Sequence, residues 1–249
     1  ELSAVWPFST NAALNLNAVK KNGARNIQAF SKFTAIGNLS TLQTDFELKI
    51  EHEKLKTIAK GNIVINPYSP KKINNGEISF DDLNLHSLHD AFPFTKINAD
   101  VRLDKNGNGE FSIKNLSPGT INNARLPIHH AEGKFKLDQR KIQLIDSQIN
   151  DGIFRASGNF SEDNVIVIFT THGLNLKKID SRLVKTSLYT SLDLNGKVKP
   201  YTELLLKFVI KKSIINEQKI SGQGKINLAE QQLKIDTLNL FAGKNTLHI

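Results

Sequence analysis

Alternation of apolar and polar residues is the feature of this 249-residue chain that most limits what it can fold into. A period of two places successive side chains on opposite faces of an extended strand, so it predicts β-strands with one apolar face. The pattern recurs in six segments, whose apolar residues are Phe46, Leu48 and Ile50; Phe111 and Ile113; Phe135 and Leu137; Leu204, Leu206, Phe208 and Ile210; Ile226 and Leu228; and Leu233 and Ile235.

Turn-forming residues separate these segments. Gly and Asn adopt positive φ at little cost, as tight strand reversals require. They occur as Asn-Asn-Gly at 74–76, Asn-Gly-Asn-Gly at 106–109, Ser-Pro-Gly at 117–119, Asn-Asp-Gly at 150–152 and Asn-Gly at 195–196. The sequence therefore predicts an antiparallel meander.

Two short repeats support a solenoid-like array of strands. One is a glycine followed by a polar residue and alternating apolar residues, beginning at Gly61, Gly76, Gly109, Gly133 and Gly224. The other is Leu-Asn-Leu, at 14–16, 83–85, 174–176 and 238–240. Helix signals are confined to one or two turns at 86–92, stopped by Pro93, and at 177–183.

No composition break divides the chain, so we expect residues 1–249 to form one elongated β unit. At about 12 residues per strand and turn it would hold roughly 20 strands. The chain starts at Glu1 and ends within a strand pattern, so we expect it to be a segment of a larger protein.

Composition excludes several classes of protein. With no Cys there are no disulfides, zinc ribbons or thiol nucleophiles, and no apolar run of about 18 residues exists to cross a bilayer as a helix. The net charge of +9 comes from 27 Lys and 6 Arg, with Lys pairs scattered at 20–21, 71–72, 177–178 and 211–212. Nucleic-acid readers concentrate Arg and aromatic residues on one element, so we expect no nucleic-acid partner.

Sequence motifs for metal binding or catalysis are weak in this chain. Residues 104–109 match the first half of a calcium loop, but Asn115 stands where the bidentate acid belongs, so a hairpin turn is predicted. Spacing points to no further metal ligand beside His86, His89 and Asp90. The remaining candidates, His129, His130 and His172, are isolated, so we assign no metal. No Gly-x-Ser-x-Gly elbow occurs, and pairs such as Asp81-Asp82 sit in polar turns. We expect no cofactor and no enzyme, although a glycan-cleaving β-helix stays open.

The repeated apolar face has no matching set of amphipathic helices to cover it. One solution is a sheet that folds on itself into a closed sandwich, as many alternating sequences do. The other is a face left open for a ligand. Composition and spacing alone favour the closed sandwich, because sandwiches are the commoner solution.

Several later motifs resemble the TamB family of the AsmA-like superfamily. They are Pro-Gly-Thr-Ile-Asn-Asn-Ala-Arg-Leu-Pro-Ile at 118–128, Gly-Lys-Phe-Lys-Leu at 133–137, Ala-Ser-Gly-Asn-Phe at 156–160 and His-Gly-Leu-Asn-Leu-Lys-Lys-Ile at 172–179. Leu-Asp-Leu-Asn-Gly-Lys-Val at 192–198, Ile-Ser-Gly-Gln-Gly-Lys-Ile-Asn-Leu at 220–228 and Leu-Phe-Ala-Gly-Lys-Asn-Thr-Leu at 240–247 look like the module that follows. The resemblance covers residues 76–249.

The resemblance implies an all-β fold with little helix. The sheet would be elongated, antiparallel-rich and curled like a half-pipe, and its concave apolar groove would be lined by the fifteen apolar residues of the six segments. It also implies a periplasmic segment of a protein anchored in the inner membrane of a Gram-negative cell, which conducts phospholipids to the outer membrane. The implied partners are phospholipid acyl chains and a TamA-like outer-membrane barrel. A scaffold for outer-membrane protein assembly, engaging strands by β-augmentation, is the alternative.

Overall fold

The structure is a computed structural model that describes residues 7–19, 26–38, 40–52, 55–69, 72–89, 91–137, 140–149, 152–161, 163–199, 202–229 and 232–249. It divides into two compact units, Glu1–Ser117 and Pro118–Ile249. Antiparallel strands make up most of each unit, and helix is limited to short turns. The predicted all-β, antiparallel class with little helix is confirmed.

The first unit contains seven strands, each hydrogen-bonded to the strands next to it in the chain. These are β1 (Pro7–Val19), β2 (Asn26–Asn38), β3 (Leu42–His52), β4 (Leu55–Ile65), β5 (Ile73–Leu83), β6 (Ile97–Leu103) and β7 (Asn108–Asn115). A single helical turn, α1 (Leu85–Leu88), lies between β5 and β6.

The second unit is likewise an antiparallel meander, with nine strands. These are β8 (His130–Lys136), β9 (Lys141–Ile149), β10 (Gly152–Phe160), β11 (Asn164–Leu174), β12 (Thr186–Lys197), β13 (Glu203–Ile215), β14 (Gln218–Ala229), β15 (Gln232–Ala242) and β16 (Asn245–His248). Two 3-10 turns, Ile121–Asn123 and Leu176–Lys178, lie outside the strands. The described residues thus form sixteen strands rather than about 20, because several strands reach 12 or 13 residues.

In strand β6 the alternation of apolar and polar residues appears as alternating burial of their side chains. Ile97 and Ala99 are buried, whereas Asn98 and Asp100 between and after them are exposed. The turn that follows is held by Asp104, whose Oδ1 accepts the backbone N–H groups of Asn106 and Asn108, each at 2.8 Å. The predicted hairpin at the calcium-like motif is therefore confirmed.

Apart from a shift in β8 at Glu132/Gly133 and one in β14 at Lys225/Ile226, the shifts of strand register in the second unit lie toward one end of the strands. They fall after Ile153 on β10, Thr171 on β11, Ser187 on β12 and Ile210 on β13. Because consecutive strands are antiparallel, the starts of β10 and β12 lie at the same end as the finishes of β11 and β13. We call it the bulged end, since such irregularities bend a strand and increase its twist.

Hydrogen bonds of the buried side chains of Asn84 and Thr95, eleven residues apart, hold the segment between β5 and β6 in place. The Asn84 Oδ1 accepts the backbone N–H groups of His86 at 3.0 Å and Thr95 at 3.3 Å. The Thr95 hydroxyl accepts the Leu85 N–H and donates to the Leu83 carbonyl, both at 2.9 Å. We call this arrangement the Asn–Thr bracket; it gives partners to backbone groups that a helical turn leaves unpaired.

The same bracket recurs between β11 and β12 with the same spacing. The Asn175 Oδ1 accepts the N–H groups of Lys177 at 3.1 Å and Thr186 at 3.2 Å. The Thr186 hydroxyl accepts from Leu176 at 2.8 Å and donates to Leu174 at 2.9 Å. Two copies of the Leu-Asn-Leu repeat, 83–85 and 174–176, are therefore equivalent in structure.

Buried apolar side chains in the described parts of the chain are few. Apart from four alanines, they are Ile97, Ile149 and Leu174. Each lies beside a chain reversal, and Leu174 opposes Leu188 immediately beyond a register shift. The larger buried apolar side chains therefore lie near strand ends, whereas buried apolar residues within the strands include small ones such as Ala35 and Ala59.

Candidate apolar binding face

Strand register in the second unit aligns apolar residues in a row across eight strands. Residues directly opposite each other in an antiparallel pair lie on the same face of the sheet. Successive partners in the row are Phe135, Ile142, Gly158, Val167, Leu194, Leu206, Ile226 and Ile235. A parallel row contains Phe169, Leu192, Phe208, Gly224 and Leu238.

The first unit has an equivalent face. One row runs through Phe33, Phe46, Gly61, Ile78, Val101 and Phe111 on six strands. A second runs through Leu48, Ala59, Phe80, Ala99 and Ile113. In this row Ala59 and Ala99 each stand between two large residues, so large and small side chains interdigitate along the row.

Three glycines on these faces lie under aromatic rings, and at one of them, Gly158, an added Cβ would lie 2.6 Å from the Phe160 ring. A Cβ added to Gly61 would approach two atoms of the Phe46 ring to 3.0 Å. At Gly224 the corresponding distances to the Phe208 ring would be 2.6 Å. The rings therefore lie low across the sheet, which keeps this face smooth in both units.

Among the described residues, no second sheet packs on the apolar face within either unit. In the part of the chain that the structure describes, the substantial contacts between strands of one unit all join strands consecutive in the chain. A closed sandwich requires packing between the inner faces of two sheets. Leu194, Leu206 and Phe208 are half-buried, since they pack against their neighbours within the row and expose their outer surfaces.

The predicted lining residues fall on these faces. Phe46, Leu48, Ile50, Phe111 and Ile113 share the apolar face of the first unit. In the second unit Phe135, Leu204, Leu206, Phe208, Ile210, Ile226, Leu228, Leu233 and Ile235 share the other. Leu137 follows the end of β8 and is 49% exposed, and Leu233 is 65% exposed, so both lie at the margin of the face.

Sequence reasoning did not identify several residues of the face. Leu192 and Leu194 alternate with Asp193 and Asn195, a signal that could have been used. On β11 the run Val-Ile-Val-Ile-Phe at 165–169 is apolar on both sides, so alternation cannot show which residues share the face. Register assigns Val167 and Phe169 to it, and leaves Ile166 and Ile168 exposed on the opposite side.

The opposite, polar face of the first unit contains a cleft of about 370 Å³. Its polar lining consists of Asp45, Glu47, Lys60, Asn62, Glu77, Ser79, Asp100 and Arg102. Arg102 lies 3.5 Å from Glu77 and 3.7 Å from Glu110, and a hydrogen bond from Lys49 lowers the pKa of Glu47. Four carboxylates and two cationic side chains line the cleft, so its lining carries net negative charge.

The histidines singled out from the sequence make local contacts. The His86 Nδ1 lies 2.9 Å from the Phe92 carbonyl, and its ring stacks on Phe94 with centroids 3.8 Å apart. His89 accepts the Ala91 N–H at 3.1 Å, whereas Asp90 lies outside the described residues. His130 faces Glu132 at 3.7 Å, and no group of three possible metal ligands occurs among the residues described.

In the parts of the chain placed by the structure, none of the helices has the length and apolar character needed to cross a bilayer. Comparisons of the chain with protein-family models, curated proteins and solved structures gave no match. The geometry of the apolar faces is therefore the basis for the functional argument.

Proposed function

We propose that the chain binds phospholipid acyl chains on its apolar faces, as a segment of a bridge that conducts phospholipids between the inner and outer membranes. The observation that carries the proposal is the row of apolar residues across eight strands of the second unit, on which no second sheet packs among the residues that the structure describes. The resemblance to the TamB family supports the choice of phospholipid.

The dimensions of the row suit an acyl chain. At about 4.8 Å between strands, eight strands give a row of roughly 34 Å, close to the 30 Å hydrocarbon core that two acyl chains fill end to end. Each methylene moved from water onto an apolar surface contributes about 0.8 kcal/mol. A charged headgroup stays in solvent, since burying it without a partner is costly.

Site-specific labelling tests which face meets the lipid. The chain has no Cys, so single cysteines can be introduced at Leu194 on the apolar face and at its neighbour Asn195 on the polar face. With an environment-sensitive fluorophore on each, added phospholipid should shift the emission of the Leu194→Cys protein to the blue. The Asn195→Cys protein should not respond, and equal responses from both would contradict the proposal.

A charge substitution tests whether the face holds the lipid. Leu206→Asp places a carboxylate in the middle of the row and should abolish loading. Lys207→Asp is the matched control, because Lys207 is the exposed next residue on the opposite face. Mass spectrometry of organic extracts should find phospholipid with the wild type and the control only; extracts without stoichiometric lipid from the wild type would refute the proposal.

Photocrosslinking separates lipid binding from the scaffold alternative. A bound lipid should crosslink to probes at Leu194 and Leu206, whereas a client strand added by β-augmentation should crosslink to backbone edges. Protein adducts confined to strand edges, with no lipid adduct on the apolar face, would favour the scaffold.

A further inference from the structure

Lysines that are scattered in the sequence lie together at one end of the strands of the second unit. Lys177, Lys178 and Lys185 belong to the segment between β11 and β12, Lys211, Lys212 and Lys219 flank the β13–β14 turn, and Lys244 occupies the β15–β16 turn. All seven are exposed. Every second turn of an antiparallel meander returns to the same edge, so these three segments are neighbours.

Backbone hydrogen bonds join the three segments into a continuous edge. The Asn216 N–H donates to the Lys185 carbonyl at 2.9 Å, and the Gly243 N–H donates to the Lys219 carbonyl at 3.2 Å. The six strands from β11 to β16 span roughly 24 Å at the usual strand spacing. We call this surface at the ends of the strands, residues 175–185, 211–219 and 242–245, the basic edge; it is distinct from the lateral edge strands of the sheet.

Its positive charge is largely uncompensated. The only acidic residues in the three segments are Asp180 and Glu217, and Asp180 is engaged by Arg182, whose Nε lies 2.9 Å from Oδ1. None of the seven lysines makes an ion pair within the residues that the structure describes. Among the described residues of the turns at the other end of these strands, two lysines, Lys197 and Lys199, are matched by two acids, Asp163 and Glu203.

Exposed aliphatic side chains lie among these lysines. Leu183 is 44% exposed, Val184 50% and Ile214 42%. Ile121, 56% exposed, is held beside them because its N–H donates to the Ile179 carbonyl at 2.8 Å. The side chains of Asn122 and Ser181 hydrogen-bond at 2.9 Å, which fixes the same loop.

We infer that the basic edge docks on an anionic phospholipid membrane, with the lysines at the phosphate level and the aliphatic side chains reaching into the interface. Each lysine near an anionic bilayer adds favourable free energy, and exposed apolar residues add burial in the headgroup region. Nucleic acid fits less well, since the edge uses Lys rather than Arg and its exposed large apolar residues are mainly aliphatic. This docking does not depend on lipid uptake by the apolar face.

Vesicle co-sedimentation of the whole chain tests the inference. Binding is expected to vesicles of phosphatidylcholine mixed with phosphatidylglycerol, to weaken with salt, and to be absent with phosphatidylcholine alone. The triple substitution Lys211→Gln, Lys212→Gln and Lys219→Gln should weaken binding about 100-fold, taking about 1 kcal/mol per lysine. Exposed lysines without ion pairs are not needed for folding, which circular dichroism of the variant checks.

A second triple substitution controls for net charge. Lys197→Gln, Lys199→Gln and Lys207→Gln remove the same charge away from the basic edge and should change binding by less than about threefold. Equal losses in the two triple variants would overturn the inference, as would no binding to the anionic vesicles.

The aliphatic contribution and the choice of partner have separate tests. Leu183→Ser with Val184→Ser should weaken vesicle binding while the salt dependence of binding persists; unchanged affinity would overturn the interfacial insertion.

Competition with nucleic acid tests the choice of partner. Single-stranded DNA at equal phosphate concentration should compete poorly with the anionic vesicles for the protein. Competition as strong as that of the anionic vesicles would assign the edge to polyanions in general and overturn the membrane as its partner.

Discussion

The aromatic ring of Phe208 lies over Gly224, its direct partner on the neighbouring strand. The glycine leaves room that no other residue could, because an added Cβ would also lie 3.1 Å from the Thr237 carbonyl oxygen. This pair sits in the middle of the apolar face. Its glycine therefore belongs to the packing of the face, whereas the sequence alone showed it only as the start of a short repeat.

Gly224→Ala should lower the free energy of unfolding by about 1–3 kcal/mol, the usual cost of overpacking a well-packed position. Urea denaturation followed by circular dichroism measures it. In a Phe208→Ala background the same substitution should cost much less, because the ring is gone. A double-mutant cycle in which the effects of the two substitutions on unfolding free energy simply add would contradict the packing described.

The Asn–Thr bracket of the second unit should contribute to stability through its hydrogen bonds. Asn175→Ala removes the acceptor of the Lys177 and Thr186 N–H groups and should cost about 1–3 kcal/mol in unfolding free energy. Asn195→Ala, on the exposed polar face, is the control and should stay within about 0.5 kcal/mol of wild type. Equal effects of the two substitutions would show that the bracket adds no stability.

Ser213 is a buried hydroxyl beside a register shift, and its Oγ accepts the Tyr189 N–H at 2.9 Å. Ser213→Ala leaves that N–H without a partner and should lower unfolding free energy by about 1–3 kcal/mol. Amide hydrogen exchange at Tyr189 should accelerate, whereas Ser191→Ala on the polar face should leave it unchanged. Unchanged exchange in Ser213→Ala would refute the role of this hydroxyl.

Asp180 should titrate at unusually low pH. Hydrogen bonds from the Arg182 side chain and then from its backbone N–H lower the pKa of Asp180 to about 2. Because the folded-state pKa lies below the unfolded value, the stabilisation is complete above about pH 4 and is lost as the pH falls toward 2.

Carboxyl NMR titration of the wild type and Arg182→Gln tests this assignment. The Asp180 midpoint should rise toward the ordinary range near 3.9 in the variant. The difference in unfolding free energy between the two proteins should also shrink as the pH falls from about 4 to 2. Identical Asp180 midpoints would contradict the ion pair.

Strand positions were accessible from the sequence because the alternation is a local pattern. Phe208 and Ile210, for example, were assigned to one face from their spacing alone, and the register agrees. Leu192 and Leu194 were missed although their alternation was available; that they oppose Phe208 and Leu206 is known only from the strand pairing. The Asn84–Thr95 bracket joins residues eleven apart across a loop, a relation that no helical or strand period indicates.

The sequence by itself determined that this is a chain of antiparallel strands with one apolar side, since a period of two and Gly- and Asn-rich turns allow little else. It could not show where the charge is concentrated. Lys177 and Lys212 are separated by two strands along the chain, and their charges looked diffuse. Only the tertiary structure places them on one edge, because a meander returns to the same end of the sheet at every second turn.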